Sequence, residues 1–369
     1  MTKRRNLLLV ALALAGIATN GVVAVANSDT WNVDFNQFYA AGTLAGSGHL
    51  YDWPSLRALE LAQGTKAIAF VRIPIFALAF KPFSALPHAL ARLLWLGACI
   101  GALGGFVALW PLPHRLWACV VVCWSAPVAM CLAFGQDTTL FLFCAALGLR
   151  LLLSGRDFWA GVALSVCVAK PHLALLLPAL LVAKLKWRAL LGGLAGGVAL
   201  VLASFAVEGT GWVSGLLALM RLPEFYTAPQ RMPNLRGLLW RTGADLPGEI
   251  ALGLTVVVAL WFVSRRLPLP SGMALALACG LMVSHHAYVY DAVVLFPAIL
   301  LSFDGPYPAW LREWAVVICT PLPFLLFMTN LELVAQLAVT GYTAALMAAT
   351  AYELRYRSAH SLAGGFQAP

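Results

Sequence analysis

Ionisable side chains are scarce in this chain, and those that interrupt its apolar runs are of the types that proton transfer and phosphate binding require. The sharpest stretch is Trp31-Asn32-Val33-Asp34-Phe35-Asn36-Gln37-Phe38-Tyr39-Ala40-Ala41-Gly42, just beyond a first apolar run that ends near Ala26. Asp34 opens what reads as an amphipathic helix. Its carboxylate either caps that helix or occupies its first turn, where the helix dipole favours an acid. The alternative is a general base at a membrane surface, where partial burial lifts a carboxylate's pKa toward working pH. Tyr39 in the same stretch and Asp52 in Leu50-Tyr51-Asp52 are candidate substrate contacts.

A second constellation is Ser284-His285-His286-Ala287-Tyr288-Val289-Tyr290-Asp291. Adjacent histidines cannot share a helix face, so one of the pair serves the site and the other serves the fold. Lys170-Pro171-His172 breaks an apolar run, either as a kink with a snorkelling lysine or as a cation that meets an anion from the bilayer. Gln136-Asp137 stands at another break, and Arg72 interrupts a weaker apolar piece. Arg221, Arg231, Arg236 and Arg241 share one long loop. Singly each reads as a solvated residue, but together they suit phosphate, which planar bidentate donors match. No HExxH, no histidine pair at i, i+4 and no carboxylate cluster occurs, so no metal and no other cofactor is expected. The pairs Gly104-Gly105, Gly192-Gly193 and Gly196-Gly197 lack any GxGxxG context and read as close helix packing.

The elements that must position these residues follow from composition. Of 369 residues, 62% are apolar and 11% charged, against about 45–50% and about 25% in soluble domains. The mean hydropathy is +0.85. Too few polar side chains exist to cover a water-soluble globule or an enzyme on a single anchor. An all-α polytopic membrane protein is expected, because backbone groups in lipid must pair within their own segment. The net charge of +9 would suggest nucleic acid in a soluble protein, but here the basic residues punctuate apolar runs and report topology. The cysteines all fall within apolar stretches and read as packing residues, not as a disulfide framework.

Spans are expected at about 7–26, 88–110, 117–134, 138–153, a short pair at 158–169 and 172–183, then 189–207, 250–263, 268–284, 288–302, 313–329 and 332–351, twelve in all. Ala24-Val25-Ala26 before Asn27 has the form of a cleavage site. The first run is as long as a full crossing, however, and retaining it leaves both chain ends on one side. The piece at 67–86, broken by Arg72, Pro74, Lys81 and Pro82, is expected to be interfacial or re-entrant. With the N-terminus cytoplasmic, Lys3, Arg4, Arg5, Arg115, Arg150, Arg156, Lys184, Lys186, Arg188, Arg265, Arg266, Arg312, Arg355 and Arg357 all fall inside, as the positive-inside rule expects. The two long loops, 27–87 and 208–249, then face outward. Residues 1–355 form one membrane domain, and 356–369 form a short, loose cytoplasmic tail.

Several of these pieces, in their order along the chain, resemble glycosyltransferase family 87, the polyprenyl-phosphate-sugar-dependent mannosyltransferases of the GT-C membrane fold. They are Asp34-Phe35 with Phe38-Tyr39-Ala40-Ala41-Gly42, Leu50-Tyr51-Asp52, Ile73-Pro74-Ile75-Phe76 with Pro82 and Leu86-Pro87, Phe134-Gly135-Gln136, Ala160-Gly161 leading to Ala169-Lys170-Pro171, and Ser284-His285-His286-Ala287-Tyr288 with Asp291. The resemblance spans residues 1–355. It departs at Arg72-Ile73-Pro74, where the family often shows Tyr-Pro-Pro, and at Ser284-His285-His286, where it shows Ser-Pro-His. The second departure makes His286 the match for the family's histidine.

The resemblance implies a GT-C enzyme of about twelve transmembrane helices in a bacterial inner or plasma membrane. It would move a hexose, mannose in the family, from a polyprenyl-phosphate sugar to a glycolipid or polysaccharide acceptor on the outer face, with inversion and without nucleic acid. Asp34 and His286 would be catalytic. Lys170, Arg221, Arg231, Arg236 and Arg241 would hold the donor phosphate. Tyr39, Asp52, Gln136, Asp137, His172, His285 and Asp291 would contact substrate. A transporter or flippase of envelope precursors is the competing class, but it predicts internal repeats and polar residues through the bilayer depth, and the sequence shows neither. A non-catalytic assembly factor for envelope polysaccharide is a third class.

The topology predicts that single cysteines introduced into loop 208–249 react with an impermeant reagent applied outside, and that cysteines at Arg265 or Arg266 do not. Labelling of both from one side would overturn the arrangement.

Overall fold

The computed structural model describes residues 2–26, 33–64, 66–112, 115–222 and 228–364. Trp31 and Asn32, at the head of the Asp34 stretch, lie outside the described residues, as does Asn27 of the cleavage-site motif.

Helix α1 (Thr2–Ala26) is uninterrupted and apolar, and turns Leu7, Leu8, Leu14, Ile17 and Val22 outward. Hydrocarbon tolerates that exposure and water does not. The first polar loop holds α2 (Val33–Leu44), α3 (Trp53–Ala62) and α4 (Pro74–Ser84). Helix α2 is buried on every side, which corrects the expected amphipathic surface helix. Its neighbour α4 crosses so closely that a Cβ on Gly42 would stand 2.8 Å from the Phe80 backbone. The polar members of α2 are consumed internally: Gln37 donates to the Ala69 carbonyl at 2.5 Å and Asn36 meets His88 at 2.7 Å. Helix α4 starts at Pro74, contains Pro82 and has 11 residues, too short to cross about 30 Å of hydrocarbon.

Beyond the loop, α5 (His88–Leu109) is a full-length apolar helix. Helices α6 (Arg115–Trp124) and α7 (Ala126–Phe134) meet at a 65° bend where a single span at 117–134 was expected. Ser125 causes the break by capping α7, its Oγ accepting from the Val128 amide at 3.4 Å. Helix α8 (Thr138–Leu153) follows. The expected short pair is found as α9 (Asp157–Ser165), a 3₁₀ turn over Val166–Ala169, then α10 (Pro171–Ala174) and α11 (Leu176–Ala183). Pro171 ends the first half, since the residue before proline is pushed out of helical geometry, and Lys170 sits at φ −129°, ψ 72°.

The second half comprises α12 (Trp187–Glu208), α13 (Trp212–Leu219), α14 (Leu235–Leu239), α15 (Asp245–Ser264) and α16 (Leu269–Val283). Every residue of α16 from Gly272 onward is buried, so this helix is the axis of the larger core. A 3₁₀ turn over Val289–Leu295 leads into α17 (Phe296–Asp304), in place of the straight span expected at 288–302. Helices α18 (Ala309–Cys319) and α19 (Leu322–Leu325) flank a 54° bend within the expected span 313–329. Helix α20 (Glu332–Gly364) continues well beyond residue 351, so the tail expected to be loose is helical as far as Gly364.

Among the described residues five helices are long and apolar enough to cross a membrane, or seven if each bent pair counts as one span. The difference from the expected twelve lies in these half-length and broken helices. The all-helical architecture itself fits a multi-pass membrane protein. All the cysteines are free.

Helices α9 and α12 are joined through glycines, as the pairs in the sequence suggested. A Cβ on Gly192 would fall 1.9 Å from the Phe158 carbonyl oxygen, and one on Gly161 would fall 1.8 Å from that of Ala189. Gly197, on the same helix, meets nothing within 4 Å. Gly192→Ala should therefore cost about 1–3 kcal/mol, the range for overpacking a tight contact, whereas Gly197→Ala should be neutral or slightly stabilising. Thermal unfolding midpoints in detergent would show the contrast, and equal midpoints would refute the packing argument.

Candidate active site

The site forms where four chain breaks meet. At the end of α7, Gly135 adopts φ +79° and lies so close to α2 that a Cβ there would stand 2.5 Å from the Phe35 Cβ. Glycine is required on both counts. The Trp95 indole fixes this turn by donating to the Gly135 carbonyl at 2.8 Å. The next residue, Gln136, is thereby set beside Asp34, and their side chains share a hydrogen bond.

Asp137 then opens α8 and receives Arg72 through two donors, Nη1 at 2.5 Å and Nη2 at 3.0 Å. Arg72 also donates to the Ala169 carbonyl at 2.9 Å and lies over the Phe38 ring. At the α9–α10 break, Lys170 Nζ is 2.6 Å from Asp291 Oδ1 and 3.6 Å from Asp137 Oδ1. Asp291 is fixed from two further directions, accepting from Thr138 Oγ1 at 3.1 Å and from the Tyr288 amide at 3.0 Å. Arg72, Asp137, Lys170 and Asp291 thus form one continuous chain of alternating charge. Its inner end is almost sealed from solvent, with side-chain exposures of 4% and 2% for Lys170 and Asp291.

Asp34 faces this chain and is 7% exposed. Burial raises its pKa to about 7, and Asp291 adds to the rise, while Lys170, Arg72 and the Gln136 hydrogen bond oppose it. A carboxylate so placed gains and loses a proton near neutral pH. This is deeper than the surface position expected from sequence, and desolvation is the cause of the shift.

A polar group of side chains lies beside the cluster. The His172 and His286 rings meet edge to face at 5.9 Å, and His286 packs on Tyr288 at 5.1 Å. The turn before them is anchored by Ser284, whose carbonyl accepts from Asn234 Nδ2 at 2.8 Å. Burial lowers the His286 pKa, so the ring is neutral at pH 7 and acts through hydrogen bonds, not as a standing cation. Gln136 Oε1 and His172 Nε2 are buried without a hydrogen-bond partner among the described residues. Orphaned polar atoms of this kind call for a ligand or water.

Other candidates lie elsewhere. Asp52 is an exposed helix cap for α3, accepting from the Ser55 amide at 3.1 Å. Tyr39 spends its hydroxyl on the Leu86 carbonyl at 2.8 Å and buttresses α2. His285 is at the rim, bonded to Glu249 at 3.0 Å and to Arg236. The loop arginines divide: Arg231 and Arg236 both lie close enough to Tyr288 to act on it electrostatically, whereas Arg241 pairs with Glu332 at 3.3 Å and Arg221 is exposed. The sequence does not single out Thr138 or Tyr290, whose ring lies 5.2 Å from the Lys170 ammonium, and marks Arg72 only as an interruption of an apolar piece. Among the described residues no cluster of three or more His, Cys, Asp or Glu side chains is arranged to hold a metal.

In comparison with known proteins, the family model described as glycosyltransferase family 87 matches residues 70–285, more than half of the chain. The matched segment contains Arg72, Gln136, Asp137, Lys170 and His172 and ends at His285. No curated protein and no solved structure matched.

Removing one partner of a buried ion pair leaves the other charge stranded, at a typical cost of about 3–5 kcal/mol. Lys170→Met should therefore destabilise the fold strongly, and Lys170→Met/Asp291→Asn should recover part of the loss. Unfolding midpoints of the two variants that coincide would contradict the coupling.

Proposed function

The chain belongs to glycosyltransferase family 87, and on that premise we propose that this membrane glycosyltransferase moves a hexose, mannose by resemblance, from a polyprenyl-phosphate sugar to a glycolipid or glycan acceptor. The site faces the outer side, as the distribution of basic residues in the sequence favours. The observation that carries the reading is Asp34: a buried carboxylate, poised near neutrality, set against a fixed pair of cations and beside polar atoms that lack partners.

In this mechanism Asp34 takes the proton of the acceptor hydroxyl. The hydroxyl oxygen attacks the anomeric carbon from the face opposite the phosphate, the bond from that carbon to the phosphate oxygen breaks, and its electron pair leaves with the phosphate. Configuration is inverted in the single displacement. Gln136 Oε1 accepts a hydrogen bond from a hydroxyl of the bound sugar, and the neutral His172 and His286 rings supply further polar contacts. Lys170 and Arg72 set a positive field in a water-poor site, where fixed charges stabilise developing charge most effectively. Because both are already balanced by Asp137 and Asp291, the arriving phosphate calls for additional cations. Arg236, at the rim beside His285, is the member of the loop group closest to that task. Asp137 and Asp291 act as positioning residues for the two cations.

The base works only when ionised, so kcat/KM should rise about tenfold per pH unit below about 7 and level off above it. Asp34→Asn keeps the size of the side chain and cannot accept the proton. It should fold and lose about 10²–10⁴-fold in rate, while Asp52→Asn stays within about twofold of wild type on an exposed cap. If Asp34→Asn retains more than roughly a tenth of the activity and Asp52→Asn abolishes it, the base has been assigned to the wrong carboxylate.

A further inference from the structure

An apolar groove of about 670 Å³ runs between α1, α5, α6 and α7, beside the bend at Ser125. Its walls include Ile17, Ile100, Leu103 and Val107, and Ile17 and Ile100 are half exposed on the membrane-facing surface of their helices. Gly21 and Gly104 also line it, and a Cβ at either would meet nothing within 4 Å, so the space beside them is open.

One end of the groove is not apolar. Arg92 lines it there, with Nη2 donating to the Leu132 and Ala133 carbonyls at 2.5 and 3.1 Å. The guanidinium lies 5.6 Å from the centre of the Phe35 ring, and Phe35 is the residue after Asp34. Ala133 is three residues before Gln136, hence at most about 11 Å from it along the chain. A slot open to lipid, floored by aliphatic side chains and closed by a cation over the ring that follows Asp34, complements an amphiphile with one long chain and a phosphate head.

Resting on the reading above, we propose that this groove holds the isoprenoid chain of the donor and that Arg92 is the first cation its phosphate meets on the way to the field of Lys170. The guanidinium plane suits phosphate oxygens. A single run of isoprene units threads between helices with few polar demands, as the groove offers few polar partners. The chain would enter sideways from the bilayer, so the sugar reaches Asp34 without leaving the membrane.

The test fills the groove from two independent helices. Gly104→Leu and Gly21→Leu project a side chain into open space and should fold like the wild type. Binding of polyprenyl phosphate to the purified protein, followed by tryptophan fluorescence, should weaken at least about tenfold in each variant, equivalent to roughly 1.4 kcal/mol. Binding of citronellyl phosphate, whose tail is too short to reach Gly104, should be unchanged. Equal binding of the long-chain phosphate by wild type and both variants would overturn the proposal. So would a loss confined to an anionic diacyl phospholipid, which would assign the groove to an acceptor. These outcomes are read without sugar transfer, so a wild-type protein that binds polyprenyl phosphate in the groove but transfers no sugar would refute the enzymatic reading and leave the groove standing.

Discussion

A lysine ammonium buried in an apolar protein is tolerable only when carboxylates surround it, and Lys170 is held by two of them. The desolvation of such charges costs several kcal/mol per ion, so the partners must be in place whenever the fold is. That requirement ties together four segments far apart in sequence: the extended stretch that ends at Arg72, the start of α8 at Asp137, the break between α9 and α10, and the 3₁₀ turn that carries Asp291. Each contributes its charged residue from a helix end or an irregular turn. The helical interruptions that shorten the spans are therefore what brings the site together.

The same cluster governs the chemistry of Asp34. Burial alone would push its proton affinity high, and Lys170 with Arg72 holds it near neutrality instead. Helix α2 brings the carboxylate there because it is enclosed by α4 on one side and by the Gly135 turn on another. Moving either neighbour outward would re-solvate the acid and return it to an ordinary surface carboxylate. Structure and proton affinity are in this sense one constraint.

Much of this was legible in the residues. Uninterrupted apolar runs gave α1, α5 and α12 close to their observed limits, because one solvent, hydrocarbon, decides their length. The Lys170-Pro171 break was readable because proline forbids the preceding helical turn. Asp34, Gln136, Lys170 and Asp291 stood out because polar side chains are rare among apolar residues. The pairing of Arg72 with Asp137 was not legible, since neither residue's neighbours encode a partner 65 positions away. Helix α2 was misread as amphipathic because Asn36 and Gln37 look solvated until His88 and the backbone near Ala69 are seen to consume them. The bend at Ser125 was hidden because a serine two residues before a proline inside an apolar run is compatible with a continuous span by composition. The loop arginines share a segment of sequence, but a loop without periodicity says nothing about where its side chains point.

In the proposed mechanism a lipid-fed displacement takes place at the junction of four helix breaks, with one carboxylate moving the proton. The most direct measurement is the stereochemistry of the product formed by the purified protein from a polyprenyl-phosphate sugar of known anomeric configuration. Transfer with inversion at the anomeric carbon is the predicted result. A product of retained configuration, or transfer from a nucleotide sugar and none from the lipid donor, would contradict it.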